Sequence, residues 1–296
     1  MKKICLFLGI IFTFNAFSQD DLMALLEEET KDSTAKDYVI ATFKSPRIIN
    51  GHSIEMPAKN ELIFIISHRF GRLNGGAYEF FGLDQATIRL GLEYSPIENL
   101  CFGIGRSTYK KNFDGFVKWR FLRQSTGYKA SPITMVYLAT MSLTSLKWEN
   151  PDRVNYFTSR LSYTHQILIA RKFNKYFSLQ LMPTLVHKNL VQTMQQSNDI
   201  FAMGVGGRIK ITNRIALTGE YYYLITDKNK IPTVGGIAPY NSLALGVDIE
   251  TGGHVFQLQF TNSQPMYNTG FITETNSSWS NGGVHFGFNI TRTFSL

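Results

Sequence analysis

Ionisable side chains recur in this sequence at alternate positions of otherwise apolar segments, a spacing that places them on one face of β-strands. The basic members of this set outnumber the acidic members by seven to four. If the strands closed into a barrel, these side chains would share its interior, and a water-filled interior would then favour small anions. The same side chains could instead pair and fill the interior with ion pairs. The basic residues are Arg69, Arg89, Lys118, Arg120, Arg160, Arg208 and Lys210, and the acidic residues are Glu61, Glu93, Glu220 and Asp248.

A serine and a histidine at positions 67 and 68 raise the question of hydrolysis. A serine hydrolase needs its hydroxyl and imidazole within hydrogen-bond reach, together with an orienting acid and oxyanion donors. Neighbouring residues of a strand point to opposite faces, so Ser67 and His68 cannot pair directly. His68 shares the face of Leu62, Phe64 and Ile66, and we expect it at an outer rim. We therefore predict no catalytic residue, with a rim-active lipid hydrolase as a remote alternative.

Metal and phosphate sites are not indicated either. Cys101 is the only cysteine beyond the first five residues, and no histidine pair has the helical spacing of a zinc enzyme. The glycines Gly103 and Gly105 and those of segment 204–207 lie inside predicted strands with no helix following, which is the wrong context for a phosphate loop. We expect no cofactor and no nucleic-acid partner.

The elements that must position the ionisable residues are strands with an apolar period of two. Segments 86–94, 243–249 and 256–261 each alternate apolar residues with polar or glycine residues. The predicted strands lie near residues 61–70, 85–94, 100–109, 113–124, 133–144, 157–171, 177–188, 200–211, 215–225, 242–250, 254–262 and 283–296.

The links between these strands alternate between short and mostly long, which is typical of outer-membrane barrels. An even strand count puts both ends of the barrel domain on the short-link side. In lipid every backbone amide and carbonyl must be paired within the protein, so a spanning sheet must close. The sequence therefore predicts an all-β fold, a membrane-spanning up-and-down antiparallel β-barrel of about twelve strands.

The last predicted strand carries an apolar face interrupted only by Arg292, while the alternate residues are small or polar. Such a strand closes the sheet and serves as a signal to the barrel-assembly machinery. Its apolar residues include Phe286, Phe288, Ile290, Phe294 and Leu296.

The N-terminal region divides into three parts. Residues 1–18 have the basic start, the apolar core and the small residues of a cleaved signal peptide. Residues 19–40 form an acidic periplasmic leader, and residues 41–60 a linker or small plug; the barrel spans 61–296. We accordingly expect the protein, after signal-peptide cleavage, in the cell outer membrane of a Gram-negative bacterium.

Several segments resemble a Bacteroidota family of outer-membrane β-barrels known as a domain of unknown function. They are residues 42–47 (TFKSPR), 68–71 (HRFG), 82–84 (GLD), 103–107 (GIGRS) and 286–290 (FGFNI). The resemblance runs from about residue 40 to the C-terminus and implies a fold and a location, without an activity or catalytic residues.

Three functions stay open at this point. The first is a narrow pore for small anionic solutes, and the second is a non-transporting structural or accessory barrel of an outer-membrane complex. The third is the lipid hydrolase considered above. The expected partners are outer-membrane lipid and lipopolysaccharide, the assembly machinery during insertion and, for the pore, a small anionic solute.

Overall fold

The computed structural model describes residues 36–148 and 150–296, so the predicted signal peptide and most of the acidic leader lie outside the described residues. Twelve strands form a closed antiparallel barrel in which neighbours along the chain pair and the last strand pairs with the first. A separate two-stranded sheet joins β1 (Lys36–Tyr38) to β6 (Ser125–Gly127). The barrel strands are β2 (Glu61–Arg72), β3 (Ala86–Ile97), β4 (Leu100–Ser107), β5 (Asn112–Leu122), β7 (Thr134–Thr144), β8 (Leu161–Lys172), β9 (Phe177–Lys188), β10 (Asp199–Lys210), β11 (Ile215–Leu224), β12 (Ser242–Thr251), β13 (His254–Thr261) and β14 (His285–Ser295).

The predicted number of strands and their up-and-down order are confirmed. The bounds differ most at β8, which begins at Leu161 rather than at residue 157 because Phe157–Arg160 form a 3-10 turn. Arg160 was expected inside a strand, and this expectation is wrong, because it is the last residue of that turn. The strand predicted for 113–124 ends at Leu122.

The loops sort by length between the two ends of the barrel. One end, called here the short-turn end, has links such as 98–99, 173–176 and 252–253. The other, the long-loop end, has links such as 145–160 and 225–241. Two links depart from this pattern: the turn 108–111 at the long-loop end is short, and the link 123–133 at the short-turn end is long and carries β6. The alternation predicted from the sequence is therefore present.

The barrel wall alternates as its sequence pattern requires. In β2, Ile63, Ile65, Ser67 and Arg69 are buried inside, whereas the residues between them are partly exposed outside. Inward glycines make room for large neighbours: a Cβ at Gly105 would meet the Arg89 guanidinium. Large exposed apolar side chains on the outer face suit contact with lipid.

Two segments fill the interior. Residues 42–56, called here the hairpin plug, enter from the short-turn end. Residues 262–284, called the inward loop, enter from the long-loop end and carry a short buried helix, α1 (Asn268–Thr273). The long link expected between the last two predicted strands does not project outward for most of its length, because apolar residues such as Phe271 and Ile272 are fully buried in the barrel.

No helix within the described ranges is long and apolar enough to cross a membrane.

Candidate functional site

The hairpin plug turns back on itself in the middle of the barrel. The amide of Ile48 donates to the carbonyl of Gly51 at 2.9 Å, and the amide of Ser53 donates to the carbonyl of Pro46 at 3.0 Å. These bonds form a tight turn whose tip is Ile48–Gly51. A turn of this kind leaves several backbone amides pointing the same way, which makes a concave anion-binding surface.

Glu220 of β11 occupies that concave surface. Its carboxylate accepts hydrogen bonds from the amides of Ile49 at 3.3 Å, Asn50 at 2.8 Å and Gly51 at 3.0 Å. Glu220 is only 3% exposed. A buried carboxylate is costly unless it is hydrogen-bonded, so the three amides and the carboxylate stabilise each other.

Side-chain amides of the wall hold the remaining backbone of the hairpin plug. Each of three inward residues donates to a plug carbonyl at 2.8–2.9 Å, and one of them also accepts from a plug amide. The bonds join Gln257 to Ile48, Asn289 to Ile49, and Gln180 to His52 and Ile54. The polar wall therefore satisfies the hydrogen-bonding groups of an inserted chain.

Two of the predicted interior cations also bind the hairpin plug. The Lys118 ammonium donates to the carbonyls of Pro46 at 3.3 Å and Glu55 at 3.0 Å, and it lies 3.7 Å from the Glu93 carboxylate. The Arg69 guanidinium donates to the Asn50 side-chain oxygen at 2.5 Å.

Two other cations pair with carboxylates that the sequence analysis missed. The Arg89 guanidinium binds Asp114, with Nε donating to Oδ1 at 2.9 Å. Arg208 donates to Glu250 at 2.9 Å, and Lys44 of the hairpin plug lies 3.0 Å from the same carboxylate. Strand parity could have found both acids, because Asp114 and Glu250 share the inward face with Lys118 and Asp248 respectively.

The remaining predicted residues lie nearer the two ends or bind a neighbour. Glu61 accepts from the Ala58 amide at 2.9 Å near the short-turn end. Arg120 donates to Asn99 at 2.9 Å, and Lys210 is half-buried at the end of β10. Asp248 accepts from Gln257 at 2.9 Å. Arg160 lies at the long-loop mouth, where its guanidinium stacks on Trp148 at 3.9 Å.

These placements remove the excess of basic charge. Taking Arg160 out of the predicted set and adding Asp114 and Glu250 turns seven basic against four acidic residues into six against six. Within these twelve residues the basic excess is gone, whereas Lys44 and Arg47 of the hairpin plug and Lys188 of β9 also lie inside and stand outside this count.

Part of the inner wall is apolar, which the sequence analysis did not foresee. Val136 and Leu138 of β7, Leu168 of β8 and Met182 of β9 point inward and are fully buried. They belong to one apolar cluster with Phe43, Ile48, Ile49 and Ile54 of the hairpin plug and with Phe271 and Ile272 of α1. The signal was present in the continuous apolar run of residues 135–139, since a strand with apolar surroundings on both faces does not alternate.

His52 lies at the centre of this arrangement. Its ring packs edge-on against the Phe116 ring, with 4.5 Å between the ring centroids, and His52 is 1% exposed. Burial and the nearby cations Arg47, Lys118 and Arg89 hold the pKa of the imidazole well below its usual value. His52 is therefore neutral when the plug is seated.

The predicted hydrolase residues do not meet. Ser67 is buried inside the barrel, whereas His68 faces outward and stacks on Phe288 at 5.0 Å. The described residues hold no cluster of His, Cys, Asp or Glu that suits a metal ion. On the closing strand, Phe286 stacks on Phe70 at 5.7 Å, Ile290 pairs in register with Ile66, Phe294 faces outward and Leu296 lies just past the strand end.

Solved structures of two porins and of an outer membrane channel are similar to the chain. The NanC porin is 11% identical, with a TM-score of 0.46, and the alignment covers 79% of this chain and 100% of that one. The KdgM porin is 8% identical, with a TM-score of 0.45 and coverage of 80% and 99%. The COG4313 outer membrane channel from Pseudomonas putida F1 is 9% identical, with a TM-score of 0.45 and coverage of 81% and 97%.

No curated protein matches the chain in sequence. A family model described as a membrane-bound beta barrel domain (DUF5777) matches residues 43–294, which include all of the hairpin plug except Thr42 and all of the barrel strands except Ser295. The chain belongs to this family of membrane-bound β-barrel domains.

Proposed function

We propose that the protein is an outer-membrane barrel that is closed at rest and acts as a structural or accessory barrel rather than as an open pore. Outer-membrane lipid and lipopolysaccharide would surround it, and its closing strand would engage the barrel-assembly machinery. The observation that carries the proposal is the apolar inner wall covered by the hairpin plug and α1.

An open state would expose the apolar inner wall to water. The inner faces of β7, β8 and β9 carry several fully buried aliphatic side chains. Returning apolar surface to water costs about 25 cal/mol per Å². Water-filled barrels instead have polar interiors. The apolar inner wall therefore suits a barrel filled by its own chain better than a water-filled pore that conducts solutes.

Conductance of the refolded full-length protein in a planar bilayer tests the proposal. We expect no sustained current steps at moderate voltage, while a general porin measured in the same bilayer gives them. Steady ohmic conductance from the unmodified protein would refute closure at rest. Fractionation of cells with separated inner and outer membranes tests the location, and recovery in the inner membrane would contradict it.

A second candidate is a gated narrow pore for small anionic solutes. One observation favours it. The hairpin plug sits in the barrel interior but is not a strand of the barrel sheet, and wall side chains hold it there, so its release would leave all twelve strand pairings intact. Release would also free Lys118 from its plug carbonyls.

The test of this candidate is ion selectivity after opening. If openings occur, reversal potentials in a salt gradient should show an anion preference that falls as salt rises. Changing Lys118 and Arg120 together to Glu should reverse the preference. Openings that favour cations in the unmodified protein, or that ignore the double substitution, would exclude an anion pore.

A further inference from the structure

A polar cavity lies at the long-loop mouth, away from the hairpin plug. It measures about 190 Å³ and is called here the mouth site. Its described lining includes three cations, Lys110, Arg160 and Lys188, against one carboxylate, Glu274. The described ionisable side chains therefore leave a formal excess of two positive charges in a partly enclosed space.

The two lysines converge on one carboxylate from different parts of the chain. Lys110 belongs to the turn before β5 and Lys188 ends β9. Their ammonium nitrogens lie 2.8 Å and 3.1 Å from the two oxygens of Glu274. Burial tends to raise the pKa of the Glu274 carboxyl, but Lys188 and Lys110 more than offset it and lower that pKa to about 2. Glu274 is thus an anion bound by the pair.

The backbone that aims Lys110 is strained. Lys110 and Lys111 have φ values of 51° and 46°, a left-handed conformation that side chains other than glycine rarely adopt. The side chains of Thr144 and Ser145 donate to the carbonyls of these two residues at 3.1 Å and 2.7 Å and brace the turn. Strain of this kind concentrates at functional sites.

Arg160 and Asn112 complete the lining. The Arg160 guanidinium lies over the Trp148 ring, with its carbon 3.9 Å from the ring centroid, and donates to the carbonyl of Thr144 at 3.0 Å through one nitrogen. Asn112 is 3% exposed, and its side-chain oxygen accepts no hydrogen bond from the described residues. Because amide oxygen and nitrogen are interchangeable in such assignments, Asn112 can offer its NH₂ group to an anion in the cavity.

We propose that the mouth site binds a small dianionic solute, such as phosphate or a short dicarboxylate, and that Glu274 of the inward loop is the internal anion that competes with it. Hydroxyl and amide groups of Asn112, Ser159, Ser162 and Thr233 would take up the remaining polar atoms of the solute. Strand residues that line the cavity, such as Asn112, Thr144 and Lys188, have inward rather than lipid-facing parity, which favours a free solute over a lipid headgroup. This inference is independent of whether the barrel conducts.

Titration calorimetry on the refolded full-length protein in detergent, with inorganic phosphate and then succinate as probes, tests the site. We expect saturable binding that weakens with salt. Lys188→Gln and Lys110→Gln should each weaken it by about tenfold or more, since each removes a charged donor. Glu274→Gln should strengthen it by a similar factor, because the competing charge is gone.

Lys129→Gln is the matched control, since Lys129 is exposed at the short-turn end; it should leave binding unchanged. Heat-modifiable mobility on gels shows that each variant has folded. The opposite signs for lysine and glutamate variants distinguish a site from general charge effects. No binding of either probe, equal loss in the control, weaker binding in Glu274→Gln, or displacement of phosphate by lipopolysaccharide would overturn the proposal.

Discussion

The Glu220 carboxylate accepts a hydrogen bond from the backbone amide of Asn50 at 2.8 Å, across 170 positions of sequence. The contact forms only because the fold brings the amide and the carboxylate together. The tight turn at Ile48–Gly51 aligns the amides, and β11 delivers the charge to the barrel interior. The contact fixes the depth and the orientation of the hairpin plug.

Replacing this charge should loosen the plug. In Glu220→Gln one acceptor oxygen becomes an NH₂ group that opposes the amide donors, and a buried donor left unsatisfied costs about 1–3 kcal/mol. We expect faster hydrogen exchange of the amides of residues 49–51, measured by mass spectrometry on the refolded protein. Glu61→Gln is the control, because Glu61 accepts a single bond at the exposed rim. Equal exchange in both variants would show that Glu220 does not hold the hairpin.

Acid should release the hairpin plug. A free His52 takes up a proton near pH 6.5, whereas the seated His52, buried among cations, has its pKa well below that value. The stabilisation is therefore complete above pH 6.5 and declines as the pH falls below it, by up to about 1.4 kcal/mol per pH unit. Hydrogen exchange of residues 47–53, corrected for the intrinsic rate, should rise between pH 7.5 and 5.5.

His52→Gln removes this dependence and provides the comparison. Glu55 acts with the opposite sign, since burial raises the pKa of its carboxyl and protonation then favours the seated state. Its contribution persists in His52→Gln, so the difference between the two proteins isolates the histidine. Identical pH profiles would contradict the assigned role of His52.

The strands could be predicted from the sequence, because apolar and polar residues alternate along them. Alternation along β3, β12 and β13 places Arg89 and Asp248 inside, and turn lengths set the order of strands. The inward loop was not accessible, because a long outer loop and a buried one differ only in their tertiary partners. The ring centroids of Tyr222 and Phe271 are 5.1 Å apart, yet the sequence around neither residue predicts this contact. The ion pairs could be predicted only in part. Alternation along the strand places Asp114 on the inward face, but its pairing with Arg89 depends on the register between strands.

We expect the long-loop end of the barrel at the cell surface and the short-turn end in the periplasm. Single cysteines at Met194 and Asn229, both exposed at the long-loop end, should react with an impermeant maleimide on whole cells. Cysteines at Lys175 and Asn213, exposed at the short-turn end, should react only after the outer membrane is breached. Cys101 is buried and should give little background. The reverse labelling would invert the topology.

A charge on the closing strand should impair assembly. Phe294 faces outward and pairs in register with Leu62 at the seam between β14 and β2. Phe294→Asp places a charge near the membrane interface, where the direct cost is only about 0–1 kcal/mol. We expect a larger loss of heat-modifiable barrel than this cost explains, because the strand is the expected assembly signal. Thr293→Asp, on the neighbouring position of opposite parity, is the control. Normal assembly of Phe294→Asp would argue against the signal.

Gly51→Val should expel the hairpin plug from an intact barrel. A Cβ at position 51 would meet the Tyr222 hydroxyl and the Glu220 carboxylate, both fixed on β11, so the tip cannot seat. Release exposes Arg47, which is 4% exposed when seated, and trypsin should then cut after it. Gly115→Ala is the control, because its added Cβ has only an ordinary contact at 3.8 Å. Cleavage at Arg47 that stays as slow as in the control would show that the tip tolerates the side chain.

The same variant separates the two candidate functions. If current steps appear once the plug is out, the hairpin gates a pore. If trypsin cuts after Arg47 and the bilayer still carries no current, then the inward loop and the apolar inner wall keep the barrel closed without the plug. That outcome would favour the accessory barrel, because α1 also packs directly against β7, β8 and β11 of the barrel wall.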